Sequence, residues 1–263
     1  MREQRRLAFG SAAELYDRRR PSYPAQLVDD VIEYARNPGS ALEVGSGTGR
    51  ATLLFAERGI AVHGLEPSAE MAAVARRACA GYEVEIEETD FERFTGGDGR
   101  FDLIFSAQAW HWVSPDLRVA LARRALRHGG ALALFWNSAD WKRSPHRQAL
   151  LDAYRRVTVD WEAVGGAGPM HPAADEPFPE RPEEGLELRA SPDFGEPEHR
   201  FYEWTERYAT AAYLELISTH SDHLLLREHE REALLGSVAE VLDGLGGELK
   251  VPYLTALTLA RTV

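Results

Sequence analysis

The chain has 263 residues, 44% of them apolar, enough to fill the core of one large α/β domain with insertions or of two small domains. Its formal net charge of −12 argues against a nucleic acid partner, because phosphate-backbone binding relies on clustered Lys and Arg. The single cysteine, Cys79, excludes an intrachain disulfide and, lying in an amphipathic helical pattern, reads as a small core residue.

The first 25 residues carry six arginines against three acids, with helical spacing around Phe9, Ala13 and Tyr16, and close on Arg20-Pro21-Ser22-Tyr23-Pro24. They are expected to form a basic helical arm on an acidic protein. The opening Met1-Arg2-Glu3-Gln4-Arg5-Arg6 lacks the apolar run of a secretory signal, and no segment reaches the length of a membrane span. A cytoplasmic location and no membrane partner are therefore expected.

Residues 40–137 alternate short apolar runs with helical patterns, the signature of βαβ units and a parallel sheet. Strands are predicted at residues 41–44, 61–65, 84–86, 101–105 and 131–136, which have the apolar content of buried strands. Gly59 and Gly81 close two of the intervening helices, and Ser68 is placed to cap the second. The fourth helix is predicted to start with Ser114 as N-cap and Pro115 at its first position, to carry Leu117, Leu121 and Leu126, and to end at Gly129-Gly130. Ser144-Pro145 opens a further helix in the same way.

Seven of the fourteen prolines fall between Gly165 and Pro197, so residues 160–198 read as an insertion or lid, either functional or disordered. Beyond it, residues 199–204 are predicted as a strand, 210–220 and 227–243 as helices, and 251–259 as a final strand.

Glu43-Val44-Gly45-Ser46-Gly47-Thr48-Gly49 ends the first strand and opens a helix, where exposed N–H groups suit a negatively charged ligand and the glycines admit it to the backbone. A tight strand-to-helix turn alone would use the same glycines. The second strand ends in Glu66, twenty-one residues after Gly45, a position from which a carboxylate accepts from both ribose hydroxyls of an adenosine. With its partners on the ligand, Glu66 is expected to matter for affinity and little for stability. The third strand runs into Asp90-Phe91, an acid for an adenine amino group and a ring to lie against the base. A dinucleotide site needs glycine at position 50, where this chain has Arg50, so a nicotinamide dehydrogenase is disfavoured. Glu43, two residues before the first glycine, suits a ligand that carries an ammonium and a sulfonium rather than two phosphates. S-adenosylmethionine is such a ligand.

Through these motifs, and through Leu65-Glu66-Pro67-Ser68, Phe101-Asp102-Leu103-Ile104, Ala13-x-x-Tyr16-x-x-x-Arg20-Pro21-x-Tyr23-Pro24 and Ala107-Gln108-Ala109-Trp110-His111-Trp112, the sequence resembles the class I S-adenosylmethionine-dependent methyltransferases. Within their type 11 branch it is similar to a bacterial subgroup that includes trans-aconitate-methyltransferase-like proteins. The resemblance implies a single methyltransferase domain over 1–263: arm 1–25, cofactor-binding core 40–137, lid 160–198, and C-terminal strands and helices 199–263. The implied fold is α/β and Rossmann-like, a seven-stranded, mostly parallel sheet whose last strand runs antiparallel. The resemblance also sets Gly45, Gly47 and Gly49 around the methionyl part of the cofactor, Glu66 on the ribose, Asp90 on the adenine amine, and Ala107 and Gln108 along the methionine side. Glu43, Ser46, Pro67, Ser68, Met71, Phe91 and Trp110 complete the expected cofactor contacts. Tyr16 and Arg20 match positions that close over the cofactor, Arg20 toward its carboxylate; a solvated basic helix accounts for them equally well.

Methyl transfer from a sulfonium is an in-line displacement, and orientation alone can remove ~7–11 kcal/mol of its barrier. A general base adds a factor of about 10² to 10⁴ when the acceptor must lose a proton. His111, between Trp110 and Trp112, is the candidate base; a packed histidine or an adenine-side contact explains it too. Tyr23, Trp112, Trp136, Trp141, Tyr213 and His220 are expected to line an apolar, aromatic acceptor pocket, though each could equally be core. His220-Ser221-Asp222-His223, with His229 nearby, lacks a third ligand at a recognisable offset, so no metal is expected and a solvated helix end accounts for it.

The expected activity is O-, N- or C-methylation of a small-molecule substrate, a carboxylate or aromatic metabolite. The alternative keeps the cofactor as a structural or electrostatic element without methyl transfer. Nucleobase amine methylation is disfavoured, because Ser106-Ala107-Gln108-Ala109 stands where an Asn or Asp, two prolines and an aromatic would be needed. The acceptor's identity and the oligomeric state are not legible in the sequence.

Overall fold

Apolar residues two apart in a strand face the same side of a sheet, and the near-continuous apolar runs here supply both sides at once. The computed structural model describes residues 13–161, 168–170 and 182–263. Its strands are β1 (Ser40–Val44), β2 (Ala61–Leu65), β3 (Val84–Glu87), β4 (Phe101–Ala107), β5 (Leu126–Ala139), β6 (Glu198–Ala209) and β7 (Glu248–Arg261). They form one sheet in the order β3-β2-β1-β4-β5-β7-β6. β1 to β5 are mutually parallel, and β7 runs antiparallel between β5 and β6.

Leu42, Val44, Ile104, Leu132 and Leu134 turn to one face, where α5 (Pro115–Ala125) covers them. Ala41, Leu103, Phe105, Ala133 and Phe135 turn to the other, against α2 (Ala25–Tyr34) and α3 (Arg50–Ala56). A third apolar cluster lies beyond β5 and is built by α6 (Arg147–Arg155), α8 (Thr210–Ile217), α10 (Glu228–Gly244) and the first half of β7. α1 (Ala13–Arg19) bridges α4 (Ala69–Ala78) and α8: Ala13 and Tyr16 pack on Met71 and Val74, while Arg19 pairs with Glu215. Cys79 is buried as expected, its thiol pushed up to about 11 by that burial.

The structure revises several boundaries. α5 stops at Ala125, because Leu126 turns extended (φ −76°, ψ 141°) to pair with Phe101, so Gly129-Gly130 sit inside β5 at a register shift instead of closing a helix. Ser114 holds the N-cap position before Pro115 without a side-chain cap bond; Ser68 does cap α4, accepting from Met71 N at 3.4 Å. α6 begins at Arg147 rather than at Ser144-Pro145, since Ser144 Oγ accepts the His146 N–H at 3.3 Å and holds the chain in a turn. The helix predicted over 210–220 ends at Ile217, and the four-residue α9 (Ser221–Leu224) follows it. Within 160–198 the described part includes a 3-10 turn, Gly168–Met170, and α7 (Glu183–Ala190), whose Leu188 is in the core. The rest of that segment, residues 162–167 and 171–181, lies outside the described residues, as does Phe9.

Candidate active site

In a parallel sheet the carboxyl ends of the strands leave a crevice where connections to the helices diverge. Two adjoining cavities occupy it. The larger, about 340 Å³, lies beyond β1, β2 and β4 and is lined by Gly47, Glu66, Met71, Asp90, Phe91 and His111 among others. The smaller, about 170 Å³, lies toward β5 and β7 and is walled by Tyr23, Trp141, Tyr213, Tyr253, Leu216 and His220, with Glu43 and Arg50 on its loop side. Tyr16, Arg20, Gly45, Gly47, Ala107, Gln108 and Asn137 line both, so the two form one continuous site.

The glycines of the loop have different reasons. A Cβ on Gly45 would stand 2.3 Å from Ala109 Cβ, and one on Gly49 would stand 3.1 Å from Ala75 Cα, so Gly49 serves the packing of α3 on α4 and lines neither cavity. Gly47 faces open space, and its N–H donates to Glu66 Oε2 at 2.9 Å. Glu66 Oε1 accepts from Ser68 N at 2.8 Å. The expectation that Glu66 has only ligand partners is therefore corrected: its carboxylate also ties the glycine loop to the start of α4.

Three polar atoms of the loop are buried without a hydrogen-bond partner: Ser46 Oγ, Thr48 Oγ1 and Arg50 Nε. All three residues line the smaller cavity. Buried polar groups are rarely left unpaired, so this concentration marks a place for a polar ligand. Glu43, 1% exposed, accepts from the Thr52 hydroxyl, and burial pushes its carboxyl up to about 8. Gln108 takes a left-handed conformation (φ 62°) unusual for a residue with a side chain, held by Gln108 N donating to Phe135 O and Gln108 Nε2 to Asn137 O, both at 3.0 Å. Arg20 donates to Thr219 Oγ1 and Thr219 O at 3.0 Å each, fixing the arm over the site, and Tyr16 lies against its guanidinium.

Most residues singled out from sequence meet here, but some do not. His111 and Trp112 border the Glu66 cavity rather than the aromatic one, on the side away from Tyr213 and His220. Trp110 is fully buried, donating from Nε1 to Glu187 Oε1 at 2.7 Å, and lines neither cavity. Trp136 alternates with Phe135 and so packs into the opposite face of the sheet. Ser68 acts as a cap and, like Trp136, lines neither cavity. His220, Asp222 and His223 bring one ligand atom each within 4.8 Å of one another. His223 is buried, with Nδ1 on Asp222 Oδ1 at 2.7 Å and Nε2 on Tyr154 Oη at 2.8 Å, so an ion there would have to displace an existing bond. Sequence reasoning missed Thr48, Arg50, Asn137 and Tyr253. Asn137 lies near the carboxyl end of β5, directly after the strand predicted at 131–136, and could have been found by the strand-end rule; Tyr253 reaches the same edge because β7 is antiparallel and pairs it with Ala139.

A methyltransferase domain family matches residues 41–130. The chain is 40% identical over 134 residues to an uncharacterized methyltransferase of Mycobacterium bovis, covering 51% of this chain and 54% of that one. It is 34% identical over 158 residues to an uncharacterized methyltransferase of Geobacillus kaustophilus, covering 56% of this chain and 73% of the relative. A protein of Anaeromyxobacter dehalogenans assigned as a type II methyltransferase superposes with a TM-score of 0.66 at 24% identity, over 92% of this chain and 97% of that one. The chain spans about half the length of the mycobacterial relatives it matches. It belongs to the class I S-adenosylmethionine-dependent methyltransferases, a family whose cofactor is S-adenosylmethionine. No helix among the described residues is long and apolar enough to cross a membrane.

Proposed function

We propose that the protein transfers the methyl group of S-adenosylmethionine to a small molecule held in the aromatic cavity. The observation that carries this reading is the pair of cavities with a common floor: a nucleoside-sized space with three acids, Glu66, Asp90 and Glu92, joins a smaller aromatic one through the glycine loop and Gln108. Glu66 and Asp90 offer carboxylates to the ribose and the adenine amine, with Met71 and Phe91 against the base. The unpartnered atoms of Ser46, Thr48 and Arg50, with Glu43 and Arg20, suit the ammonium and carboxylate of the amino-acid end.

When bound, S-adenosylmethionine supplies a methyl group on a positively charged sulfur. The chain's own work is then orientation and exclusion of water: Gln108 is fixed by its backbone bonds, and the arm covers both spaces through Tyr16 and Arg20. The aromatic walls of the smaller cavity, Tyr23, Trp141, Tyr213 and Tyr253, favour a compact acceptor with an apolar or ring-bearing body. The negative net charge supports a small-molecule partner over nucleic acid and is compatible with a cytoplasmic protein. The test is calorimetry with S-adenosylhomocysteine and NADH, followed by transfer of labelled methyl to a panel of phenols, carboxylates and amines. Tight NADH binding without S-adenosylhomocysteine binding would overturn the reading.

A further inference from the structure

Among the described residues one histidine lines the aromatic cavity, and it is not the one flanked by tryptophans. His220 lines it directly, and among the described residues its imidazole makes no hydrogen bond, although its backbone N–H is bonded to Ile217 O. Behind it stands a chain of polar groups: a ligand atom of Asp222 lies within 4.8 Å of one of His220's, and His223, hydrogen-bonded to both Asp222 and Tyr154, sets its ring edge-on to His220 at 5.5 Å. In front of it is Arg20, whose guanidinium is bonded to Thr219, the residue before His220.

We propose that His220 is the general base of this site for an acceptor with an ionisable hydroxyl, a phenol or enol, and that it becomes an effective base only once an anion is paired with Arg20. The inference rests on the methyl-transfer reading above. The acceptor's O–H bond breaks, its proton goes to the imidazole, and the oxygen's electron pair forms the new O–C bond. The S–C bond breaks with its pair staying on sulfur, which leaves as a neutral thioether, and the imidazolium later returns its proton to water. A carboxylate acceptor would need no such group; an aromatic wall with a half-buried imidazole in it serves a hydroxyl.

The electrostatics support the conditional part. The groups facing His220 are Arg20 from the end of the arm, Tyr213 from α8, Asp222 and His223 from α9, and across the cavity Glu43, Arg50, Tyr23 and Tyr253. Burial, then the charges of Arg20 and His223, hold the imidazole well below its ordinary value, while Asp222 opposes them. Asp222 is itself held far below the carboxylate range despite burial, chiefly by its hydrogen bond with His223, so it remains an anion that can stabilise an imidazolium. Neutralising Arg20 with a carboxylate, as the amino-acid end of the cofactor would, removes one of the opposing charges and makes His220 more basic. Asp222 is then a positioning residue.

The experiment is a titration of His220 by NMR in the histidine-labelled 263-residue chain, alone and saturated with S-adenosylhomocysteine. The expected result is an upward movement of its titration on saturation by about one pH unit or more, smaller in Asp222→Asn. His220→Asn should keep S-adenosylhomocysteine affinity within about twofold while transfer to phenols falls by about 10² to 10⁴. A titration that does not move on saturation, or phenol transfer indifferent to His220→Asn, overturns the inference. A titration that moves with zinc and not with S-adenosylhomocysteine also overturns it, making His220 a ligand. Failure of S-adenosylhomocysteine to bind the wild type overturns the methyltransferase reading itself.

Discussion

Glu43 and Glu66 show how two carboxyls of one site come to differ. Glu43 is shut away from water with one hydroxyl partner, so folding favours its protonated form, with a titration near 8 against an ordinary 4.5. For an acid raised in this way, the stabilisation from staying protonated is fully present below the unfolded value and is lost as pH rises through the folded one. Urea unfolding between about pH 5 and pH 9 should therefore show stability falling across that window, and Glu43→Gln should flatten the fall. The same carboxyl should release a proton when it meets an ammonium, so S-adenosylhomocysteine binding near neutral pH should show a buffer-dependent heat that Glu43→Gln abolishes. Glu66 accepts two backbone N–H bonds, and Glu66→Ala should cost about 1–3 kcal/mol of stability, read by urea, besides an affinity loss of about tenfold or more, read by calorimetry. The acids and glycines of this site were legible because each ends a strand or a turn, positions that sequence marks. The partners of Glu66 were not, because a side chain reaching back to the loop before it leaves no periodic trace.

Among the elements, the arm and the last two strands decide what the core can do. α1 docks through a small patch, Ala13 and Tyr16 on Met71 and Val74, and through the Arg19–Glu215 pair, whose side chains are 34% and 42% exposed. Such an exposed pair contributes about 0.2–1 kcal/mol, so the apolar patch and the Arg20–Thr219 bonds set the docking. Ala13→Asp should release α1, weaken S-adenosylhomocysteine binding by calorimetry and speed tryptic cleavage after Arg18 and Arg19, with the urea midpoint little changed because the sheet is untouched. The parallel half of the sheet was legible from its apolar runs. The early start of β5 was not: Leu126 leaves the helix to pair with Phe101, a long-range contact that outweighs the local signal of Gly129-Gly130. Nor was Trp110 placed correctly, since its partner Glu187 lies 77 residues away on α7.

At the scale of the whole molecule, ligand binding and folding are linked by mass action. S-adenosylhomocysteine at about a hundredfold excess over its dissociation constant should add about 2.7 kcal/mol, a rise in melting temperature of roughly 5–10 °C for a domain of this size. NADH at the same concentration should leave the melting curve where it was. Tyr16 and Arg20 also have a kinetic consequence, because they belong to both cavities, one within a short helix and the other directly after it. The arm cannot uncover one space without uncovering the other. On the proposed function, spent donor and methylated product would share a single gate, and each cycle would wait on one opening of it. Steady-state turnover should slow as the solvent is made more viscous, while a single turnover on preloaded protein should not.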